Sequence, residues 1–456
     1  MQPPASPSPL GRFLGRIVRI EPHEMGAAFA AFAFIFLVFG AYQILRPVRE
    51  VMGITSGVAN LPILFWAVLV AMLLTQPAFG WLTSRFRRSV FLPWVYLFFM
   101  ANLAAFYAWF YFQNDHTWIA RAFFVWMGVF SLFVGSVFWS FMADIFNPEQ
   151  AGRLYGFLVG GMSAGGLVGP GIAATMAPII GSINLLLIAM VFLGLSLFTI
   201  RYLSRWHERT TVDETSSSSQ AAAISKTDVN RPIGGNAWAG LTLVLTKTHL
   251  LMIAAFVMLL TWASTFVYLQ QQELVAAAIP DRDRQTQLFG YIDFTVQSLS
   301  LITQLFLFSR LSSMMRFRVL LALVPMVMIG GYVVLALMPT MFIAIGVMGV
   351  RRVLEYSIVR PAREIIYSPL DRETKYKAKN FIDTVIYRSG DAISGSIRQL
   401  LSWVGVSGSG IAWFGAALCG LWALVAFKLG DRHERIVAEK KRESIKSSGL
   451  LASRSA

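Results

Sequence analysis

Apolar runs of about twenty residues, separated by short polar segments, extend along almost the whole chain. A helix of about 20 apolar residues is long enough to cross the hydrocarbon core of a bilayer. The pattern therefore predicts an all-α membrane protein with six spans before a long polar stretch and six after it. The twelve predicted transmembrane helices are Gly26–Leu45, Leu61–Thr83, Phe91–Tyr111, Ala122–Ala143, Tyr155–Met176, Ile183–Tyr202, Leu250–Leu269, Leu288–Phe308, Val319–Leu337, Met341–Val359, Asn380–Leu401 and Gly410–Phe427.

The long polar stretch divides the chain into two predicted six-helix bundles, residues 26–202 and 250–427. The stretch itself, 203–249, contains the Ser-rich segment ETSSSSQ and has the composition of a linker. An amphipathic N-terminus, 1–25, precedes the first bundle, and a basic tail, 428–456, follows the second.

Composition agrees with a membrane protein, because 14% of the residues are charged, against about 25% in soluble domains. The single cysteine excludes an intrachain disulfide. Most of the 39 Lys and Arg residues lie in both termini, the linker and the loops on one side. This asymmetry predicts that both termini are cytoplasmic, and it accounts for the net charge of +15 without a nucleic-acid partner.

Charged residues interrupt the apolar pattern in predicted spans 10 and 11 and at their ends. The arginines there are Arg351, Arg352, Arg360, Arg363, Arg388 and Arg398, and the acids are Glu355, Glu364, Asp383 and Asp391. Charges at membrane depth are energetically expensive, which favours a functional role.

Residue spacing offers these charges partners on their own helices. Arg351 and Arg352 precede Glu355 by four and three residues, and Arg388 precedes Asp391 by three. One interpretation is therefore that these arginines and carboxylates form ion pairs whose only role is to fix the packing of the helices. The arginines outnumber the acids, however, and a remaining guanidinium can bind phosphate or carboxylate in a bidentate fork. We therefore predict substrate contacts from Arg351, Arg352, Glu355, Arg363 and Arg388.

The pattern Arg-Pro-x-Arg-Glu occurs twice, as a first box, Arg46–Glu50, and a second box, Arg360–Glu364. Each box lies at the end of a predicted span, on opposite sides of the membrane, where its proline should interrupt the helix. Arginines at the end of a span often extend their guanidinium groups to the membrane surface, and this would explain one such box. It does not explain why the same five-residue pattern occurs twice. We predict ion pairs at two gates, formed by Glu50, Arg360 and Glu364, with Arg46 and Arg49 contacting substrate.

Two short motifs resemble those of the major facilitator superfamily. GWLTSRFRR, Gly80–Arg88, is similar to the loop between spans 2 and 3 of that superfamily, with Ser84 in place of the acidic residue. The small residues of span 5, Gly156–Gly171, are similar to an antiporter motif, although close helix packing explains them equally well. This resemblance implies two bundles around a cavity lined by spans 1, 4, 7 and 10.

Across Arg351–Asp391 the chain resembles the ATP/ADP translocases of intracellular bacteria and plastids. The matching residues are Tyr356, Ser357, Pro361, Glu364, Tyr367, Pro369, Leu370, Asp371, Lys375, Lys377, Lys379, Ile382, Asp383 and Arg388. Tyr42–Arg46 with Arg49 and Glu50, and Phe138–Asp144 with Glu149, Arg153 and Tyr155, extend the resemblance to the first half.

The resemblance implies nucleotide exchange and adds Asp144, Arg153 and Asp383 to the predicted gating ion pairs, and the spacing of Arg388 and Asp391 adds Asp391. The chain departs from that family where arginine replaces lysine at positions 49 and 363 and where span 7 lacks an acid. These departures indicate a divergent bacterial branch in the inner membrane.

The sequence therefore predicts a secondary active transporter that exchanges organic anions, with nucleotides or other phosphorylated metabolites as the leading substrates. Two alternatives are a proton-coupled transporter of another amphiphilic metabolite and a non-transporting receptor or lipid-handling protein. Asp293, Glu355, Asp383 and Asp391 are the candidate proton carriers. The sequence has no catalytic, zinc or phosphate-loop motif, so we predict no enzyme activity, cofactor or metal. Expected partners are a small anionic substrate and the lipid bilayer, with a monomer as the simplest assembly.

Overall fold

A computed structural model describes residues 20–85, 88–217 and 239–454, and these residues are helical nearly throughout. The amphipathic N-terminus up to residue 19, Arg87 of the loop motif and residues 218–238 of the linker lie outside this description. The α-helices are α1 (Met25–Thr55), α2 (Leu61–Arg85), α3 (Arg88–Phe112), α4 (Thr117–Ile145), α5 (Pro148–Ile180), α6 (Leu185–Ser217), α7 (Ala239–Thr246), α8 (Thr248–Ala278), α9 (Arg282–Phe306), α10 (Phe308–Met314), α11 (Phe317–Leu337), α12 (Met341–Leu354), α13 (Arg360–Ile366), α14 (Arg372–Phe381), α15 (Tyr387–Trp403) and α16 (Gly408–Arg454).

Within the described ranges, nine helices are long and apolar enough to cross a membrane: α1 to α6, α8, α11 and α16. The bent pair α9 and α10, which meet at 47°, makes a tenth if the two form one span. Predicted spans 10 and 11 correspond to α12–α13 and α14–α15, which are charged and interrupted. The count of twelve therefore remains a prediction for those two spans.

Two π-turns interrupt spans 10 and 11, at Glu355–Val359 and Ile382–Ile386. Pro361 lies two residues after the first π-turn, so the carbonyl group four residues before it, that of Ser357, lies within the widened turn. The first box differs from the prediction, because α1 continues through Pro47 to Thr55 without a break. Neighbouring helices that pack around a membrane helix allow it to retain such a proline.

The described residues form two compact units. Unit 1 contains those within Met1–Ser56, Ala71–Arg231 and Asp281–Phe294. Its helix α1 packs closely against α5. A Cβ atom added at Gly161, Gly165 or Gly169 would lie 2.8, 2.6 or 2.7 Å from a carbonyl oxygen of α1. The span-5 glycines therefore allow two backbones to touch, which is the packing interpretation of that motif.

Unit 2 contains the described residues within Gly57–Val70, Pro232–Pro280 and Thr295–Ala456. Helix α8 is central to this unit and packs against α12, α15 and α16 around a core that includes Phe256 and Trp422. Asp371 caps α14 by accepting a hydrogen bond from the Thr374 N–H at 2.9 Å, which lowers the pKa of its carboxyl group. This cap fixes the start of the basic helix that follows the second box.

Candidate functional site

The arginine–carboxylate cluster of unit 2 consists of Arg351, Arg352, Glu355, Arg388 and Asp391. Arg351 Nη1 lies 2.5 Å from Glu355 Oε2, and both residues are buried. Arg388 Nη1 lies 3.5 Å from Asp391 Oδ2. Arg352 is also buried, with 5% of its surface exposed. Two of the helix-face pairs predicted from spacing, Arg351–Glu355 and Arg388–Asp391, are thus present.

Two further side chains, absent from the sequence prediction, belong to this cluster. Tyr387 lies within electrostatic reach of Glu355, Asp391, Arg351 and Arg388. Thr265 of α8 donates a hydrogen bond from Oγ1 to Asp391 Oδ1 at 3.2 Å. Tyr387 directly precedes Arg388, so proximity in sequence could have suggested it. Nothing in the sequence marks Thr265, because its contact depends on the packing of α8 against α15.

The second box is held by ion pairs with α14 and the π-turn that follows it. The Arg363 guanidinium contacts the Asp383 carboxylate. Lys379 Nζ lies 2.6 and 2.8 Å from the two carboxylate oxygens of Glu364. The Arg360 guanidinium lies 4.3 Å above the ring of Tyr356. Arg363, which we predicted to bind substrate, thus contacts a carboxylate of the same unit.

A cavity of about 440 Å³ adjoins the second box within unit 2. Its lining consists of Gln304, Phe308, Tyr356, Arg360, Pro361 and Glu364. Gln304 Nε2 donates to the backbone oxygen of Tyr356 at 2.8 Å. The cavity therefore presents a cation, an anion, an amide and aromatic surface within a small volume.

The first box lies in unit 1, where it connects α1 to the first part of α9. Arg46 Nε lies 3.7 Å from Asp293 Oδ2, and Asp293 is 3% exposed. Arg49 Nη1 lies 3.1 Å from Glu50 Oε1, and the Arg49 guanidinium lies 4.0 Å above the ring of Phe124. The sequence suggested Asp293 as a proton carrier but gave no reason to place it beside Arg46.

Further contacts hold the start of α9 against the end of α5. Asp283 Oδ1 accepts a hydrogen bond from the Ser182 N–H at 2.7 Å, and Ser182 Oγ lies 2.8 Å from Thr286 Oγ1. A Cβ atom added at Gly290 would lie 2.7 Å from the Ala174 nitrogen. These contacts and the Arg46–Asp293 pair make one continuous connection along the first half of α9.

Arg153, a predicted gating residue, binds Glu24 at the start of α1. Its Nη2 atom lies 3.0 Å from Glu24 Oε1, which also accepts a hydrogen bond from Gln150 Nε2 at 2.9 Å. Asp144, the other gating residue predicted in this turn, lies within electrostatic reach of Tyr155. Glu24 is 1% exposed and was not singled out by its sequence, since it precedes the first predicted span.

One group of acidic and histidine side chains among the described residues has a spacing suited to a metal ion: Glu21, His23 and Glu24. Arg153 Nη2 lies within 3.3 Å of Glu21 and 3.0 Å of Glu24. A cation in this position would compete with that guanidinium, so the donor set fits a metal poorly.

The two charged regions differ in their balance of charge. The first box and Asp293 bring together two guanidinium groups and two carboxylates. The five residues of the unit 2 cluster contribute three guanidinium groups and two carboxylates. The unit 2 cluster is therefore the richer of the two regions in guanidinium groups.

Comparison with known proteins places this architecture in a family. The profile of the Major Facilitator Superfamily matches residues 25–355. The profile described as the TLC ATP/ADP transporter matches residues 300–433, which contain the cluster and the second box. No protein of curated function matches the chain in sequence.

Solved structures of several transporters share the fold. A bacterial homologue of the iron transporter ferroportin, in an inward-facing state, has a TM-score of 0.60 at 13% identity and covers 90% of this chain and 100% of its own. A mutant of the nucleoside transporter NupG has a TM-score of 0.57 at 10% identity, with coverages of 90% and 99%. A bacterial homologue of the human lysosomal transporter Spinster has a TM-score of 0.54 at 11% identity, with coverages of 92% and 95%.

The superfamily profile matches well over half of the chain, and the described helices share the fold of its solved members. The protein is a multi-pass membrane transporter and not an enzyme, and it belongs to the Major Facilitator Superfamily.

Proposed function

We propose that this protein is a secondary active transporter that exchanges organic anions, and that its substrate is a nucleotide or another phosphorylated metabolite. One observation carries the proposal: the guanidinium groups of Arg351, Arg352 and Arg388 lie with two carboxylates on the helices of unit 2, and Arg351 and Arg352 are buried. Charged side chains at membrane depth are costly, which favours a role in binding an anionic substrate.

The geometry of the cluster suits a phosphate group. Glu355 and Asp391 hold Arg351 and Arg388, so these guanidinium groups are oriented before substrate arrives. Arg352 adds a second buried guanidinium group on the same helix as Arg351. Guanidinium groups bind phosphate oxygens through two parallel hydrogen bonds, which are strong where water is excluded. Tyr387 supplies a hydroxyl group within the same set of charges.

The choice of a nucleotide rests on the match of residues 300–433 to ATP/ADP transporters. Arg363, which stands where that family carries lysine, contacts Asp383. We therefore assign Arg363 to positioning of α13 against span 11 and leave substrate binding in unit 2 to Arg351, Arg352, Glu355 and Arg388.

Transport would follow an alternating-access cycle in the inner membrane, with both termini in the cytoplasm. The two boxes would act at opposite ends of this path. The Arg46–Asp293 pair would open in one half of the cycle, and the Glu364–Lys379 and Arg363–Asp383 pairs would rearrange in the other.

Counterflow in proteoliposomes tests the proposal. Vesicles loaded with unlabelled ADP should take up labelled ATP with saturation, and other phosphorylated metabolites should compete. Arg352→Gln should raise the half-saturating concentration by roughly 10- to 100-fold, because one charged hydrogen-bonding group is worth about 1.5–3 kcal/mol.

Arg310→Gln is the matched control, since Arg310 is an exposed arginine of α10 outside the cluster. It should leave counterflow unchanged. Absence of flux for every phosphorylated compound, from protein that remains folded, would contradict the proposal.

A proton-coupled mechanism is the second candidate, and the burial of Asp293 favours it. A carboxylic acid buried within a predicted membrane span is costly, and such acids are typical of proton relays in transporters. An imposed proton gradient should then drive accumulation without any substrate inside the vesicles. An exchange rate that does not change with the proton gradient would exclude the proton-coupled mechanism.

A further inference from the structure

The cavity beside the second box carries charges of both signs on one helical face. Arg360 and Glu364 both line it, and they lie four residues apart on α13. Their backbone positions are therefore separated by about 6 Å along the helix axis. A ligand that uses both groups must carry an anion and a cation at a similar separation.

The carboxylate of Glu364 already accepts a primary ammonium group. Lys379 Nζ lies within 2.8 Å of both carboxylate oxygens. An ionised carboxylate has about four lone-pair positions, so a second ammonium group can bind from the cavity while Lys379 stays in place. More than half of the Glu364 side chain is exposed, at 58%, which leaves it accessible from that direction.

Three further lining residues, Phe308, Tyr356 and Pro361, are apolar or aromatic. Phe308 and Pro361 line the cavity, and the ring of Tyr356 supports the Arg360 guanidinium at 4.3 Å. The 47° bend between α9 and α10 lies beside this lining. Three apolar side chains at the bend are exposed, those of Leu305, Phe306 and Leu307. An amphiphilic ligand could place its apolar part against these side chains.

We propose that this cavity binds a phosphoethanolamine group, with the phosphate on Arg360 and the primary ammonium on Glu364. A two-carbon link separates the two charges of this group by a distance comparable to one helical turn. The exposed apolar residues at the bend favour a phospholipid headgroup as its source over the soluble compound. The site lies at the second box, and none of its lining residues belongs to the cluster proposed to bind the transported anion.

Native mass spectrometry of the full-length protein tests the proposal. The purified protein would be supplied with phosphatidylethanolamine, phosphatidylcholine and phosphatidylglycerol of identical acyl chains. Phosphatidylethanolamine should be retained about tenfold more than the other two, because only it combines the phosphate with a hydrogen-bonding ammonium. Glu364→Gln should reduce its retention to that of phosphatidylglycerol, and Arg360→Gln should reduce the retention of all three.

Arg310→Gln, on α10 but outside the lining, is the charge-matched control and should keep the preference. A thermal-shift titration with soluble phosphoethanolamine separates the two sources of the group. Stabilisation that Glu364→Gln abolishes would support the site with the soluble compound as its ligand. Equal retention of the three lipids, a preference for phosphatidylglycerol, or a preference unchanged by Glu364→Gln would overturn the proposal.

Discussion

Asp293 shows how far a single residue's role depends on a partner distant in sequence. The sequence identified it only as a candidate proton carrier, but it is buried and lies 3.7 Å from Arg46. Asp293→Asn removes the buried carboxylate partner of the half-buried Arg46 guanidinium group. Such a change destabilises by up to about 3–5 kcal/mol. We expect a clear fall in the melting temperature of the purified protein.

A double-mutant cycle distinguishes this pair from a general loss of packing. Arg46→Gln combined with Asp293→Asn removes both charges, so the double variant should be more stable than Asp293→Asn alone. Additive destabilisation by the two substitutions would show that the two groups do not interact.

Residue spacing predicts contacts along one helix and misses contacts across helices. Arg351–Glu355 and Arg388–Asp391 were predictable because positions three or four apart share a helix face. Arg46–Asp293 and Arg153–Glu24 were not, since their members are far apart in sequence and meet only through packing. The charges of the candidate site were thus identifiable from sequence, whereas the pairings that join different helices were not.

At the scale of whole elements, hydrophobic runs located helices well and their ends poorly. Span 1 was predicted to end at Leu45, but α1 continues to Thr55 and carries the first box within the helix. Polar residues ended the predicted span, whereas packing in unit 1 stabilises the helix beyond them. A single π-turn leaves no characteristic spacing of apolar residues. The apolar pattern therefore could not predict the π-turns of spans 10 and 11.

Close approach of α9 to α5 depends on a single glycine, and this can be tested. A Cβ atom at Gly290 would lie 2.7, 2.8 and 2.9 Å from three atoms of Ala174, two of them backbone. Gly290→Ala should therefore lower stability by about 1–3 kcal/mol, as overpacking does. Gly330→Ala is the matched control, because no atom lies within 4 Å of its added Cβ. That variant should stabilise its helix by about 1 kcal/mol or less.

Melting temperatures of the two glycine variants, measured beside wild type, give the comparison. Equal melting temperatures of Gly290→Ala and Gly330→Ala would mean that α9 does not approach α5 as closely as the structure shows. The same result would weaken the gate proposed at the first box, which depends on this connection.

At the scale of the whole molecule, the distribution of basic residues predicts which side of the membrane each loop faces. The packing of the helices does not predict this. Both units contain arginines with carboxylate partners, but the lysine-rich segments lie in the second half and its tail, as in Lys375, Lys377, Lys440 and Lys441. Positively charged loops remain on the cytoplasmic side of a membrane. The C-terminal part of α16 should therefore be cytoplasmic, and the turn between α3 and α4 should face the opposite side.

Cysteine labelling tests this orientation, because the chain has one native cysteine and Cys419 is buried. In a Cys419→Ala background, Asp115→Cys between α3 and α4 and Arg442→Cys on α16 each introduce one exposed thiol. A membrane-impermeant maleimide should label Asp115→Cys in intact cells and Arg442→Cys only after permeabilisation, while the background alone stays unlabelled. The reverse labelling pattern would show that the protein has the opposite orientation in the membrane. It would also move the second box and its cavity to the opposite membrane face, because the box is predicted to lie on the same side as the C-terminal tail.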